Sequence, residues 1–241
     1  ETTSGNLASA LKLEPGITAI IGSGGKSTLL KALGLELMRA GGRVLLCTTT
    51  HMFPVAGVPW DGRVVAWRRT LEAGRLNVPG CTCEACTGLA RGSICQAGVL
   101  DPETGKLSAP AEPLGELAQR FNYVLAEADG SKRLPLKAHA AWEPVIPSGT
   151  ATSSGSLALG ARQARCEVIH RPELFCERCG CELTDTATPE RVASAQCRDA
   201  GAEARRRARH AQPSRALSDP TMADRFEAAL GRPVVATSLQ G

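Results

Sequence analysis

Ile17-Thr18-Ala19-Ile20-Ile21-Gly22-Ser23-Gly24-Gly25-Lys26-Ser27-Thr28 is the stretch on which the reading of this chain turns. The apolar run Ile17 to Ile21 predicts a buried strand, and the glycines after it predict a tight turn. From Lys26 to about Ala40 the pattern is helical, with Leu29, Leu30, Leu33, Leu37 and Met38 on one face. A strand, a glycine-rich turn and Lys-Ser-Thr at a helix start is the layout of a phosphate-binding loop. Glycines let the backbone curl until several N–H groups face one anion, which the helix N-terminus also attracts. In such a loop Gly22, Ser23, Gly24, Gly25, Lys26, Ser27 and Thr28 would hold the phosphates of ATP or GTP. Lys26 would reach the β and γ phosphates, and the Ser27 hydroxyl would sit on Mg²⁺.

Outward from that loop, Gly41-Gly42 supplies a helix stop and Arg43-Val44-Leu45-Leu46-Cys47 reads as a second buried strand. Strand, helix, strand with short connections implies a parallel pair with a right-handed crossover. Thr48, Thr49, Thr50 and His51 then emerge at the carboxyl edge of the sheet, where open α/β sheets bind ligands. Thr49 and Thr50 are candidate nucleotide contacts, and His51 a contact to substrate or phosphate. Further on, Tyr123 to Gly130 is an apolar run ended by two acids, Glu127 and Asp129. This is the form of a strand that carries a Mg²⁺-directing carboxylate in nucleotide hydrolases. One acid can hold the metal, for which Asp129 is the candidate with Ser27, while Glu127 orients or activates a nucleophile. The fold class expected is α/β, a mostly parallel sheet like that of P-loop NTPases, flanked by helices and interrupted by irregular cysteine-bearing insertions.

Weaker signals fill the rest. A short strand is expected between Ile94 and Leu100, and a short helix on Leu114, Leu117 and Phe121. Ser148 to Ser156 is Gly/Ser/Thr-rich with little strand character, although a doubly wound sheet wants a further strand near there. Thr188-Pro189 reads as a helix cap followed by a first-turn proline. A helix on Met222, Phe226 and Leu230, a stop at Gly231 and a strand at Val234 to Ala236 close the pattern.

At 241 residues, 43% of them hydrophobic but only 3% aromatic, the chain suits one α/β domain with a core of Leu, Val, Ile and Ala. Residues 54–95 read as a cysteine-rich insertion and 198–216 as a flexible basic segment. The net charge of +4 is modest, and the run Arg205-Arg206-Arg207-Ala208-Arg209 has no aromatic stacking residues beside it. Nucleic acid is therefore not an expected partner. No apolar stretch approaches the ~20 residues of a membrane span, and nothing resembles a signal peptide. No membrane partner is expected, and the cytoplasm is the expected compartment. The chain starts at Glu1 without a methionine, so leading residues are expected before it.

Two resemblances sharpen this. The usual phosphate loop has a glycine six residues before the lysine; here that position is Ile20, and the loop starts two residues tighter, at Gly22. The short form is similar to that of ATP-dependent Mur ligases. The ordered set GSGGKST, TTTHM (Thr48 to Met52), EADGSKRLPLK (Glu127 to Lys137), EPVIP (Glu143 to Pro147) and HRPELF (His170 to Phe175) resembles the YqeC-type proteins. These are described as accessory proteins of selenium-dependent molybdenum hydroxylases, or of selenium cofactor biosynthesis. The resemblance implies a P-loop nucleotide-binding protein whose partners are a molybdenum hydroxylase or its cofactor-maturation proteins. Arg171, in the HRPELF motif, is a plausible anion contact because a guanidinium grips phosphate in two places. Lys132 and His51 would steady developing charge.

Ten cysteines in a chain without an export signal argue against a disulfide scaffold. Cys81, Cys83 and Cys86, with Cys95 nearby, form one cluster; Cys176, Cys179 and Cys181 form another. Short C-x₂-C pairs suit Zn²⁺, since two thiolates on one turn take adjacent tetrahedral corners. Free thiols, or a relay passing on sulfur or selenium, are the alternatives. Cys47, Cys166 and Cys197 read as packing or surface thiols, and His139 carries no signal. The function expected is an NTP-hydrolysing, Mg²⁺-dependent accessory protein. An ATP-dependent small-molecule ligase or kinase is the alternative, as is a metal or selenium carrier with a regulatory nucleotide site.

Overall fold

One turn of helix, α1 (Leu7–Ala10), precedes the expected strand, loop and helix, in which β1 spans Gly16–Ser23 and α2 spans Lys26–Arg39. The computed structural model describes residues 7–59, 92–130, 132, 134, 136–157, 164–199, 208–213, 221–231 and 234–237. The second strand is β2, Arg43–Thr48, and a two-residue strand β3, His51–Met52, follows at once. Then come β4 (Ser93–Gln96), β5 (Leu107–Ser108), the short helix α3 (Leu114–Leu117) and β6 (Tyr123–Glu127). The last part holds β7 (Thr150–Leu157), α4 (Pro172–Cys179), α5 (Pro189–Asp199), β8 (Ala208–Pro213), α6 (Thr221–Leu230) and β9 (Val234–Thr237).

Seven strands form one sheet in the order β4-β2-β6-β1-β7-β8-β9, every neighbouring pair parallel. This is the α/β architecture expected, and it places β1 and its glycine turn in the middle. A strand buried on both faces must be apolar at nearly every position, and β2 shows why. Its Val44 and Leu46 join Leu29, Leu30, Leu33 and Leu37 of α2 in one core cluster. Its Leu45 and Cys47 face the other way, against Leu117 and Phe121 beside α3. A third cluster, around Phe175, Val192 and Phe226, packs α4, α5 and α6 together. Among the described residues, no helix is long and apolar enough to cross a membrane.

Two parts of the sequence read as irregular are strands. β7 occupies the Gly/Ser/Thr-rich stretch after Ser148, where side-chain type gave little strand signal. It forms because both of its edges are paired, with β1 on one side and β8 on the other, and Thr152, Ser153 and Ser154 are buried there. β8 lies inside the segment 198–216, of which residues 208–213 pair with β7 and β9. Cys95, taken as a neighbour of the first cysteine cluster, is a buried residue of β4. Cys81, Cys83 and Cys86 lie outside the described residues.

β3 and β5 make a separate antiparallel ribbon, His51 opposite Ser108 and Met52 opposite Leu107. Gly98 lies against it so closely that a Cβ there would stand 2.4 Å from the Ser108 carbonyl oxygen. A backbone atom cannot swing aside as a side-chain tip can. Gly98→Ala is therefore expected to cost about 1–3 kcal/mol. Gly115→Ala in α3, where a Cβ would meet no atom within 4 Å, should be neutral or stabilising by up to about 1 kcal/mol. Urea denaturation of both variants checks the contrast.

Candidate functional site

The carboxyl ends of β1, β2 and β6 meet side by side, with Ile20 and Thr48 both in register with Glu127. The turn leaving β1 is tight: Gly24 and Gly25 have φ of 75° and 76°, left-handed values that a Cβ disfavours. Gly25 is the residue from which α2 starts, with Leu29 N–H donating to its carbonyl at 2.8 Å. Lys26, the first residue of the helix, is buried, and its ammonium donates to the Gly22 carbonyl at 2.6 Å.

Under the turn lies the most buried charge of the site. Asp129 has no exposed surface, and its Oδ2 accepts the Gly22 N–H at 2.8 Å and meets His139 Nε2 in a short contact. Lys26 Nζ stands 3.3 Å from Oδ1, and Lys137 Nζ 3.5 Å from Oδ2. Oδ1 has that ammonium beside it as an ion pair without a donor in hydrogen-bond geometry. Burial alone would push this carboxyl up, but the His139 hydrogen bond and the charges of Lys26, His139 and Lys137 outweigh it and hold Asp129 at about 2. Lys137 continues the row to Glu143 Oε2 at 2.9 Å, and Arg171 reaches the same oxygen at 2.7 Å. Arg171 also donates to the Ala138 carbonyl at 3.1 Å and lies over the Trp142 ring, 5.9 Å from its centre.

Glu127 is placed differently. It faces the cleft, and the Ser27 hydroxyl donates to its Oε2 at 3.3 Å. Burial raises its proton affinity, Lys26 opposes that, Asp129 adds to it, and the net shift is upward. A carboxyl so poised is closer to accepting and releasing a proton near neutrality than an exposed one.

Most of the residues singled out from the sequence share one cleft of about 1270 Å³. Gly24, Gly25, Lys26, Ser27 and Thr28 form its floor, and Thr50 and His51 one wall. Glu127, Lys132 and Arg171 line it as well. Gly22, Ser23, Thr49 and Asp129 do not line it. Gly22 and Ser23 are buried below, and the Thr49 hydroxyl donates to the Val145 carbonyl at 2.8 Å. Among the described residues, three non-glycines have left-handed φ, and two of them are Lys132 and Arg171. Backbone held in that region clusters at ligand sites, because the surroundings must force it. Lys106, Phe53, Glu143 and His170 also line the cleft and were not anticipated, and neither were the buried partners Lys137 and His139. Lys137 and Glu143 stand within motifs quoted above, which was the available signal; His139, two residues along an extended segment, shares the side of Lys137.

The second cysteine cluster is regrouped. Cys166, read as a packing or surface thiol, joins Cys176 and Cys181, their three sulfurs lying within 4.8 Å of one another. Such a triad could hold a metal ion. Cys179 is turned instead toward the Arg191 carbonyl, its Sγ 3.2 Å away. Left-handed Gly180 reverses the chain after α4, so Cys181 N–H bonds back to the Cys176 carbonyl and the two thiols meet. Burial and the adjacent Cys181 push the Cys166 thiol up to about 12.

Removing the Asp129 charge leaves buried ammonium groups uncompensated. Asp129→Asn should lower stability at neutral pH by about 3–5 kcal/mol. The sign follows from a depressed carboxyl: its contribution is complete above the unfolded value of about 3.9 and is lost as pH falls through about 2. Urea melts of the two proteins should therefore converge as the pH is taken down through that window.

Residues 18–173, which hold the turn, both acids and Arg171, match the family model described as YqeC protein. The chain is similar to the uncharacterized protein YqeC of Escherichia coli (strain K12), 33% identical over 182 residues. That match covers 72% of this chain and 64% of the relative, so it spans just under two thirds of the relative's length. No solved structure matches. The family match takes in most of β1, the glycine turn, Glu127, Asp129 and Arg171 together, and the chain belongs to the YqeC family.

Proposed function

We propose that this protein binds a nucleoside triphosphate in the cleft and hydrolyses it, as a cytoplasmic accessory protein in the maturation of a selenium-dependent molybdenum hydroxylase or its selenium cofactor. The observation that carries the nucleotide reading is the floor of the cleft, where left-handed Gly24 and Gly25 and the buried Lys26 open α2 directly beneath it. Phosphate is the ligand such a turn favours, through backbone N–H groups and the helix N-terminus acting together. The volume exceeds the ~300–1,000 Å³ of an ordinary small-molecule pocket, enough for a nucleotide. The hydroxylase part comes from the sequence resemblance to YqeC-type proteins.

Ser27 and Glu127, 3.3 Å apart at the cleft surface, are the residues that would hold magnesium. Held there, magnesium would supply positive charge to offset that of the phosphates. Asp129, buried under the turn, fixes Lys26 and the Gly22 N–H, so it shapes the loop from below. Glu127, with its raised proton affinity, also suits the orienting of an attacking water. Lys132, Arg171 and His51 face the same space and can meet spreading negative charge. Space beyond a nucleotide favours one second reading, phosphoryl transfer to a small acceptor, which acceptor-dependent turnover would reveal.

Calorimetry with Mg-ATP and Mg-GTP tests the nucleotide reading and chooses the base. Lys26→Ala should weaken binding of the preferred nucleotide by about a hundredfold or more, a loss of ~2.7 kcal/mol, and should also lower stability, since it leaves the buried Asp129 short of a partner. Unaltered affinity in that variant would remove the main support. Glu127→Gln should cut phosphate release by about 10²–10⁴-fold and raise the magnesium concentration needed for turnover. In the metal-free protein Glu127 should take up its proton at a pH above the usual carboxylate value of about 4.3, a titration that the variant should lack. For the hydroxylase role, adding the protein with nucleotide to immature hydroxylase should raise the selenium it retains; no change in selenium content would overturn that part alone.

A further inference from the structure

Cys166, Cys176 and Cys181 come from three separate pieces of chain. Cys166 sits on a single 3₁₀ turn (Cys166–Val168), Cys176 in α4, and Cys181 just past the reversal at Gly180. The loop carrying Cys181 has little core of its own: Glu182, Leu183 and Thr184 are exposed. It is held to the 3₁₀ turn by backbone bonds, Cys166 N–H to the Asp185 carbonyl at 2.8 Å and Glu167 N–H to the Leu183 carbonyl at 3.0 Å. Short loops with so little to bury are where a metal staple adds most.

We propose that these three thiolates hold a zinc ion that clamps residues 164–187. The spacing fits. With Zn–S bonds of about 2.3 Å, two corners of a tetrahedron lie ~3.8 Å apart, and the Cys166 and Cys181 sulfurs are separated by 3.8 Å. A disulfide needs about 2.05 Å and would use only two of the three. All three donors are sulfur, which selects a borderline-soft ion over magnesium or calcium. Cys166 and Cys176 are buried while Cys181 is half-exposed, so the fourth corner opens toward solvent and takes water or another exchangeable ligand. Cys179 is no ligand, because its sulfur is directed at the Arg191 carbonyl. The assignment does not depend on nucleotide chemistry, since the clamp lies behind the start of α4 and outside the cleft.

The full chain with Cys81→Ser, Cys83→Ser and Cys86→Ser removes the other cysteine cluster and isolates this site. Elemental analysis of that protein should find about one zinc per chain, and zinc X-ray absorption should show three sulfurs at about 2.3 Å with one lighter neighbour. Adding Cys166→Ser should remove nearly all of the zinc, and adding Cys179→Ser should leave it in place. Zinc-free protein, a Cys166–Cys181 disulfide by mass spectrometry, zinc retained without Cys166, or zinc lost without Cys179 would each overturn the assignment. If the Cys166→Ser protein does not fold, the absorption spectrum of its parent decides alone, since a shell of two or four sulfurs contradicts the three-thiolate site.

Discussion

A carboxylate with no access to water fixes the geometry of everything around it, because it must be fully partnered or it will not stay ionised. Asp129 is such a group, and its partners come from every part of the site. Gly22 lies on the turn after β1, Lys26 opens α2, and Lys137 and His139 belong to the extended segment that follows β6. One side chain thus ties the central turn, the helix and the segment after β6 to a common point. The backbone does the same from above, with Ala128 N–H bonded to the Ile20 carbonyl and Val145 N–H to the Ala128 carbonyl. Moving any one of these pieces exposes or unpairs a buried charge.

From that anchor the charges alternate. Lys26, Asp129, Lys137, Glu143 and Arg171 form a row with successive separations of 3.3, 3.5, 2.9 and 2.7 Å. Each charge is screened by its neighbours, which is how so many ionised groups share a poorly solvated place. The row ends at Arg171, held left-handed at φ 65° before α4 and lying over the ring of exposed Trp142. Glu143 stays ionised for the same reason: burial would raise its carboxyl, and the hydrogen bonds from Arg171 and Lys137 bring it down.

How much of this could be read beforehand depended on whether a residue's partners were near in sequence. The strand, turn and helix from Ile17 to Arg39 were legible because hydrophobic period, glycines and lysine are all local signals. The cleft residues Thr50, His51, Glu127, Lys132 and Arg171 were legible through motifs placed at strand ends or helix starts. β7 was not, since Thr-Ala-Thr-Ser-Ser-Gly-Ser-Leu has the composition of a loop and becomes a strand only by pairing with β1 and β8. His139 was invisible because its partner, Asp129, is ten residues away on a path no periodicity describes. The cysteines show the same limit. C-x₂-C spacing joined Cys176 to Cys179, whereas the reversal at Gly180 joins Cys176 to Cys181, and pairing of two distant loop segments brings in Cys166.

The two acids at the end of β6 illustrate why residue type alone does not assign roles. Glu127 and Asp129 point the same way from one strand end, as alternation requires, yet they experience opposite fields. Asp129 receives an N–H, a histidine and two ammonium groups, and its proton is held off down to about 2. Glu127 receives the Ser27 hydroxyl and the charges of Lys26 and Lys137, while its burial and the Asp129 charge drive its proton affinity upward. A phosphate arriving over the turn would compete with Asp129 for Lys26, since both anions need the same ammonium. Weakening that pair relaxes the ion that opposes Asp129, and Glu127 would then face a less compensated neighbour two residues away. An anion over the turn would therefore act on the protonation of Glu127 through Lys26, the ammonium that both acids share.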